Sequence, residues 1–379
     1  MSIAAPLHRK LITPTTLVLA VLTLTGFYFL ALRFIYGMGA VTNLNSGYTL
    51  GIWVVFDVII GTAFGCGGFA IGLLVYIFNR SNYHPLMRSA LLSGLFGYTL
   101  GGFAVVFDLG RYWHSYNLLL PWRANPNSAI LEVALCVMAY IVVLWIEFAP
   151  AFLERFGLYR AQRALRRWMW LFAALGVLLP FMHQSSLGSM ALVMTYKLSP
   201  LWYTEWLPAL FVISALLMGY AIVMFEAAVV SNSFALPSEH ALISRMSRVV
   251  GCIAAAWLVL RWGDLFFRGV VQQAFVPSVR VALFWVENAL FLAAPAVFLC
   301  PAGRASQRAS FLAAVALLLG GSLYRMDTYI IGYTPVGTWS YFPSAPEIMV
   351  SVGVVSLEVL LYLIFIKTLP VLHGEAAHP

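Results

Sequence analysis

SAILEVALCVMAYIVVLWIEFAPA, residues 128–151, runs straight into FLERFGLYRAQRALRR, residues 152–167. The first stretch is 24 residues of almost unbroken apolar character, carrying only Glu132 and Glu147 as charges. About 20 helical residues at about 1.5 Å rise cross the hydrocarbon core of a bilayer, so the segment reads as a membrane span. The second stretch holds Arg155, Arg160, Arg163, Arg166 and Arg167. A span that ends in a dense basic loop sets its own orientation, because short loops rich in Lys and Arg stay on the cytoplasmic side.

The same pattern repeats along the chain. Ten apolar segments are predicted, at about 14–36, 48–78, 86–109, 128–151, 168–190, 205–231, 246–268, 281–301, 309–326 and 346–369. With the first span starting in the cytoplasm, fourteen of the 22 Lys and Arg residues fall inside, from Arg9 and Lys10 through Arg80 and Arg88 to Lys367. Only Arg111, Arg123, Lys197, Arg268, Arg280 and Arg325 fall outside, and both termini are predicted to be cytoplasmic. The spans must be helices, since an unpaired sheet edge in lipid leaves backbone groups without partners. The expected fold is therefore an all-α polytopic membrane protein, residues 1–379 forming one integral membrane domain.

Composition agrees. Hydrophobic residues make up 62% and charged residues 9% of the 379, with mean hydropathy +0.89, which excludes an ordinary soluble domain. The formal charge of +8 sits in short inner loops rather than in a basic stripe among exposed aromatics, so it reports topology and no nucleic-acid partner is expected. Cys66, Cys136, Cys252 and Cys300 are isolated from one another, without a CxxC pair for zinc or an iron–sulfur cluster, and no metal site is expected. The basic lead-in His8-Arg9-Lys10 precedes a long apolar run with no clear small-residue cleavage site, so the first span reads as a retained helix. Outer loops are rich in aromatics such as Trp113, Trp122, Trp206, Trp339 and Phe342. They suit either an interfacial belt or a docking surface.

A faint internal echo joins Asp108 to Arg111 and Glu132 with Asp264 to Arg268 and Glu287. It suggests two four-helix halves, spans two to five and six to nine, with a flanking helix at each end.

A charge at bilayer depth costs about 2.5–3.5 kcal/mol on insertion scales, so each needs a partner, a cavity or a task. Asp57 and Glu358 lie near mid-depth, Asp108, Arg111, Glu132, Arg261, Asp264 and Glu287 in the outer half, and Glu147 and Glu226 near the inner boundary. Helical spacing accounts for Asp108 with Arg111, Arg261 with Asp264, and Asp264 with Arg268 as ion pairs. Asp57, Glu132 and Glu226 have no such neighbour, which leaves proton handling or hydrogen bonding across the bundle. Among the histidines only His183 is placed within or at the end of a span, so paired axial ligands are missing and no haem is expected. His183 and Gln184 form a polar turn that either caps a helix or binds a carbonyl oxygen. Glycines at 61, 65, 67, 68 and 72 and at 94, 97, 101 and 102 suit close helix packing or a flat ring against a bare helix face.

Several co-linear stretches carry a resemblance. Gly51-Ile52-Trp53-Val54-Val55-Phe56-Asp57, Phe78-Asn79-Arg80, Tyr83-His84-Pro85-Leu86, Phe96-Gly97-Tyr98, Asp108-Leu109-Gly110-Arg111-Tyr112-Trp113, Glu147-Phe148-Ala149-Pro150, Met182-His183-Gln184-Ser185-Ser186 and Tyr341-Phe342-Pro343 resemble the NrfD/polysulfide-reductase membrane-subunit family, and within it the hydrogenase-2 type. The resemblance implies a quinone-binding anchor whose partners are an iron–sulfur ferredoxin-like subunit on the periplasmic face and the large and small subunits of a nickel–iron hydrogenase. Menaquinone or ubiquinone would bind among Asp108, Arg111, Tyr112, Trp113, His183 and Gln184. Glu132 is the expected last proton donor, with Asp57 and then Glu226 or Glu147 leading toward the cytoplasm. Three rivals remain: another quinone-linked oxidoreductase of the family, a secondary transporter, and a purely structural anchor.

Overall fold

The structure is a computed structural model that describes residues 6–7, 9–48, 50–237 and 239–372. His8 and both ends of the chain lie outside the described residues, as does the predicted placement of the termini.

Ten helices among the described residues are long and apolar enough to cross a membrane: α1 Pro14–Tyr36, α2 Trp53–Ile77, α3 Ser81–Asp108, α4 Ala129–Arg155, α5 Met169–Leu192, α6 Leu207–Phe234, α7 His240–Phe267, α8 Val279–Phe298, α9 Gln307–Ile331 and α10 Ala345–Thr368. No strand occurs among the described residues; Leu198 and Tyr333 form an isolated bridge. This is the all-α multi-pass architecture that the apolar runs predict.

Helix starts are written locally. Thr13 and Ser344 each close a capping box, the latter with Glu347, while Ser128 and Ser278 cap α4 and α8 through their hydroxyls. Such caps satisfy amide groups that the first turn leaves without partners. Loops gather at two ends. At the basic end Arg88 reaches Pro370 O at 2.6 Å and Glu154 at 2.7 Å, and Lys367 reaches Lys10 O at 3.0 Å. At the aromatic end the backbone amide of Ser199 donates to Gly332 O at 2.9 Å and Asn45 to Ser340 O at 2.9 Å.

Helices α2–α5 pack as one group and α6–α9 as another, joined where α6 packs against α5 and where α6 and α9 touch α2. The flanking helices α1 and α10 pair with each other, and α10 lies against α2 and α3. Glycine sets the closest approach: a Cβ on Gly26 would stand 2.7 Å from the Cα of Gly353. Helix α2 is the central element, 83% buried across its apolar window against 22% for α1 and for α10. Its glycines meet neighbours directly, as a Cβ on Gly94 of α3 would fall 2.7 Å from Gly65 O.

Helix α2 is also irregular. Trp53–Ile60 and Leu73–Ile77 wind as wide π turns, and so does Asp327–Ile331 at the end of α9. Single wide turns of this kind recur at functional positions because they offset side chains from the regular helical register. One predicted boundary moves substantially. Arg325, expected on the outer side at the end of a span drawn to residue 326, lies inside α9 and is fully buried, because α9 continues past it to Ile331. Its guanidinium is held by Ile59 O and Phe211 O, each at 3.0 Å, and by the Ser214 hydroxyl at 3.2 Å.

Candidate functional site

Helix α10 carries a polar stripe in an otherwise apolar sequence. Glu347, Ser351, Glu358 and Tyr362 are spaced four, seven and four apart, which places them on one face over roughly 22 Å of helix. At the aromatic end the carboxylate of Glu347 accepts from the Tyr341 hydroxyl at 2.8 Å, the Asn43 amide at 3.0 Å and the Ser344 amide at 2.7 Å. Burial, with Glu347 beside it, pushes the Tyr341 phenol above the usual tyrosine range, so Tyr341 is the donor. One turn deeper, Ser351 donates to Asp57 Oδ2 at 3.0 Å, while Asp57 Oδ1 is buried without a donor.

Glu358 comes next and stands within electrostatic reach of Asp57. It fits there because α3 has no side chain at Gly97, where a Cβ would lie 3.2 Å from Glu358 Oε1. Glu226 of α6 follows, flanked by Ser93 and Tyr362 and within reach of Glu358, with Oε2 lacking a donor. Glu226 and Tyr362 line a cavity of about 40 Å³ at the basic end, together with Ser89, Ser231, Pro237 and Glu239. One water needs about 10–15 Å³, so the cavity has room for more than one. Three acids and two hydroxyl side chains thus form a line from this cavity to within a turn of the aromatic rim.

A second polar group lies between α2, α3 and α5. His183 is completely buried; its Nε2 lies 3.1 Å from Thr62 Oγ1, and Gln184 Nε2 donates to the same hydroxyl at 3.2 Å. Tyr98 meets the imidazole edge-on, 5.7 Å between centroids, and its hydroxyl is 3.4 Å from Cys66 Sγ. Tyr140 packs edge-on against Tyr98 at 4.5 Å. Glu147 lies two helical turns along α4 from Tyr140, against Gly176 of α5, where a Cβ would come 2.8 Å from its Oε2. Glu147 therefore faces α5, on the side of the His183 group, and not the α10 line.

The rim forms a third group. Arg33 of α1 donates from Nε to Phe107 O at 2.7 Å and also to Leu109 O, capping the end of α3. Its guanidinium lies over the rings of Phe34 and Tyr112, at 4.7 Å and 5.3 Å. Asp108 stands within electrostatic reach of Arg33 and Glu347, with Oδ1 buried and without a donor. Tyr112 stacks edge-on against Phe34 and Trp113, while Arg111 and Trp113 are exposed.

These positions sort the predicted residues. Asp57 and Glu226 share the α10 line, His183 and Gln184 share Thr62, and Asp108, Tyr112 and Trp113 share the rim with Arg111 at its edge. Among the described residues no hydrogen bond joins His183 or Gln184 to the rim group. The ion pair expected between Asp108 and Arg111 is not formed; Arg33 takes the position facing Asp108. Glu132 is exposed in the first turn of α4, away from the buried acids. Arg261 pairs with Glu287 at 3.3 Å, and Asp264 with Arg268 at 2.7 Å. Sequence reading assigned no task to Ser351, Glu358 or Tyr362, although their spacing with Glu347 was a readable signal. Thr62, Tyr98 and Arg33 gave none, because what marks them is a partner on a distant helix.

Residues 43–337 match the family described as Polysulphide reductase, NrfD. The chain is 38% identical over 370 residues, 97% of its length and 94% of the relative's, to the Probable Ni/Fe-hydrogenase 2 b-type cytochrome subunit of Escherichia coli (strain K12). It is 27% identical to the Menaquinone reductase, integral membrane subunit of Nitratidesulfovibrio vulgaris, covering 90% of this chain and 87% of that one. It is 22% identical to a selenate reductase subunit of Mesobacillus selenatarsenatis, covering 94% of each. The name of the Escherichia coli relative corrects one expectation: a b-type cytochrome designation implies haem, and the predicted absence of haem is withdrawn. A haem with two histidine ligands would need a second imidazole facing His183. Among the described residues His84, His114 and His240 lie at or beyond the ends of spans, so that pair is not assembled here, and no step below passes through haem. Ten membrane-spanning helices, a match over most of the chain and end-to-end relatives together make this a membrane subunit of the NrfD family.

Proposed function

We propose that this chain is the quinone-binding membrane subunit of a respiratory nickel–iron hydrogenase in a bacterial inner membrane, with both termini cytoplasmic. Electrons from hydrogen reach the aromatic end, taken as periplasmic, through an iron–sulfur ferredoxin-like subunit bound there. Menaquinone or ubiquinone accepts them at the rim among Asp108, Arg111, Tyr112 and Trp113. His183 and Gln184, joined through Thr62, form a deeper polar floor to the site. Reduction of a quinone consumes two electrons and two protons. In this reading Asp57 delivers protons at the rim, and Glu358 and Glu226 pass them up from the cavity at the basic end. Glu132, exposed on α4, lies off this line and the role of last donor passes to Asp57. Glu147 serves the His183 group through Tyr140 and Tyr98.

The observation that carries this reading is the line of acids along α10, which joins a cavity at the basic end to the rim. Carboxyls within reach of one another, Asp57 buried and Glu358 and Glu226 half-buried, with an oxygen of Asp57 and of Glu226 left without a donor, suit stepwise proton transfer better than structural pairing. In membranes or in the purified complex, Arg111→Leu and His183→Ala are expected to lower hydrogen-to-quinone activity by a factor on the order of 10², the scale of losing a group that stabilises developing charge. Hydrogen oxidation with a soluble dye should stay at the wild-type rate. Equal loss of both activities would make these residues determinants of assembly.

A second reading keeps the quinone and changes the attached catalyst. It is favoured by the relatives named for menaquinone and selenate reductases. The subunits that copurify with the chain decide between the two.

A further inference from the structure

Another acidic cluster lies between α8 and α9, outside the three polar groups described above. Glu287 of α8 is fully buried; Oε2 accepts from Trp202 Nε1 at 2.8 Å and Oε1 from Arg261 Nη2 at 3.3 Å. Asp327 of α9 is equally buried and opens the wide turn Asp327–Ile331, closed by the Gly332 amide on Asp327 O at 2.6 Å. Its side chain faces Glu287 within hydrogen-bonding reach. Neither Asp327 carboxyl oxygen has an N–H or O–H donor.

The surroundings fix the charge. Arg261 supplies one positive charge, its guanidinium 5.0 Å from the Tyr324 ring and 5.5 Å from that of Phe284. Arg325 is turned away toward Ile59 O, Phe211 O and Ser214. Asp264 is committed to Thr204 and Arg268. Tyr324, the remaining titratable neighbour, is neutral. Two ionised carboxylates would therefore face one cation, leaving a net negative charge in the dry interior and two acceptors pointed at each other, an arrangement disfavoured on both counts. A metal cation is a poor remedy, because the other groups around the pair, an indole N–H and a guanidinium, are donors that repel it.

We propose that Glu287 and Asp327 bind a single proton between them, carried by Asp327 and donated to Glu287. The O–H of Asp327 then gives Glu287 its third donor beside Trp202 and Arg261, and the cluster becomes neutral. Two close carboxyls sharing a proton form a proton-binding site in their own right. This one lies between α8 and α9, which contribute no member to the α10 line.

Infrared spectroscopy tests it on the full chain, purified in detergent with ¹³C in its aspartate carboxyls, at about pH 8, well above the ordinary carboxylate range near 4. Wild type should show a label-sensitive and deuterium-sensitive C=O band of a protonated acid that is lost in Asp327→Asn, whose amide keeps a donor toward Glu287. Replacing potassium by sodium in the buffer should leave that band unchanged. Identical spectra for wild type and D327N would overturn the proposal, and so would a band abolished by sodium, which would make the ligand a metal cation. If D327N does not accumulate, E287Q takes its place: Asp327 is then the one carboxyl facing Arg261 and should ionise, so the aspartate band should be lost, and a band that persists as in wild type would overturn the pair.

Discussion

Glu358→Gln is expected to reduce hydrogen-to-quinone turnover by a factor on the order of 10², within the range by which a positioned acid or base accelerates proton transfer. The prediction follows from the position of Glu358 between Asp57 and Glu226, within electrostatic reach of both. Glutamine keeps the size of the side chain and its fit against Gly97, yet an amide neither takes up nor releases a proton at neutral pH. Hydrogen oxidation with a soluble dye bypasses the membrane and should be untouched. Glu358→Asp keeps the titrating group on a shorter arm and should recover part of the rate. Full quinone activity in E358Q would reduce the stripe on α10 to a packing feature and leave the proton route without its central member.

Gly219→Leu should have the largest effect on stability. A Cβ at this position of α6 would lie 2.5 Å from Cys66 O and 2.8 Å from Cys66 C, so the obstruction is backbone of the central helix and no rotamer relieves it. Overpacking in a close-packed interior costs about 1–3 kcal/mol even where side chains can yield. Here α6 must leave α2, and with it the junction between the two helical groups. The expected result is little inserted protein, or a purified protein with a clearly lowered thermal midpoint. Gly263→Leu is the matched control, since nothing stands within 4 Å of a Cβ there. Similar thermal midpoints for the two variants would contradict the proposed role of Gly219.

The spans were legible because crossing a bilayer demands length and apolarity, which a window of sequence reports directly. Their ends were less so. Arg325 was counted on the outer side and its span was drawn only to residue 326, since a charge at the end of an apolar run ordinarily marks water. In the folded chain the neighbouring helices supply what water would have, three acceptors for Arg325 and Glu287 beside Asp327. Depth along a helix was legible in part: Asp57, Glu132 and Glu226 were singled out as acids without local partners, and Asp57 is buried whereas Glu132 is exposed. Which acids meet was not legible, because Asp57 finds Ser351 across 294 positions of sequence. The pairing of Asp108 with Arg111 failed for the same reason: helical spacing allowed it, and Arg33, 75 positions earlier, took the place.

The partnership of the first and last membrane helices bears on biosynthesis. One whole side of the acid line, from Glu347 to Tyr362, belongs to α10, which leaves the ribosome after the nine other helices have been made. Until α10 docks onto α1, α2 and α3, Asp57 and Glu226 sit on unconnected surfaces. A nascent chain therefore lacks the line of acids through the bilayer, and the proposed proton route can form only when translation of the last span is complete.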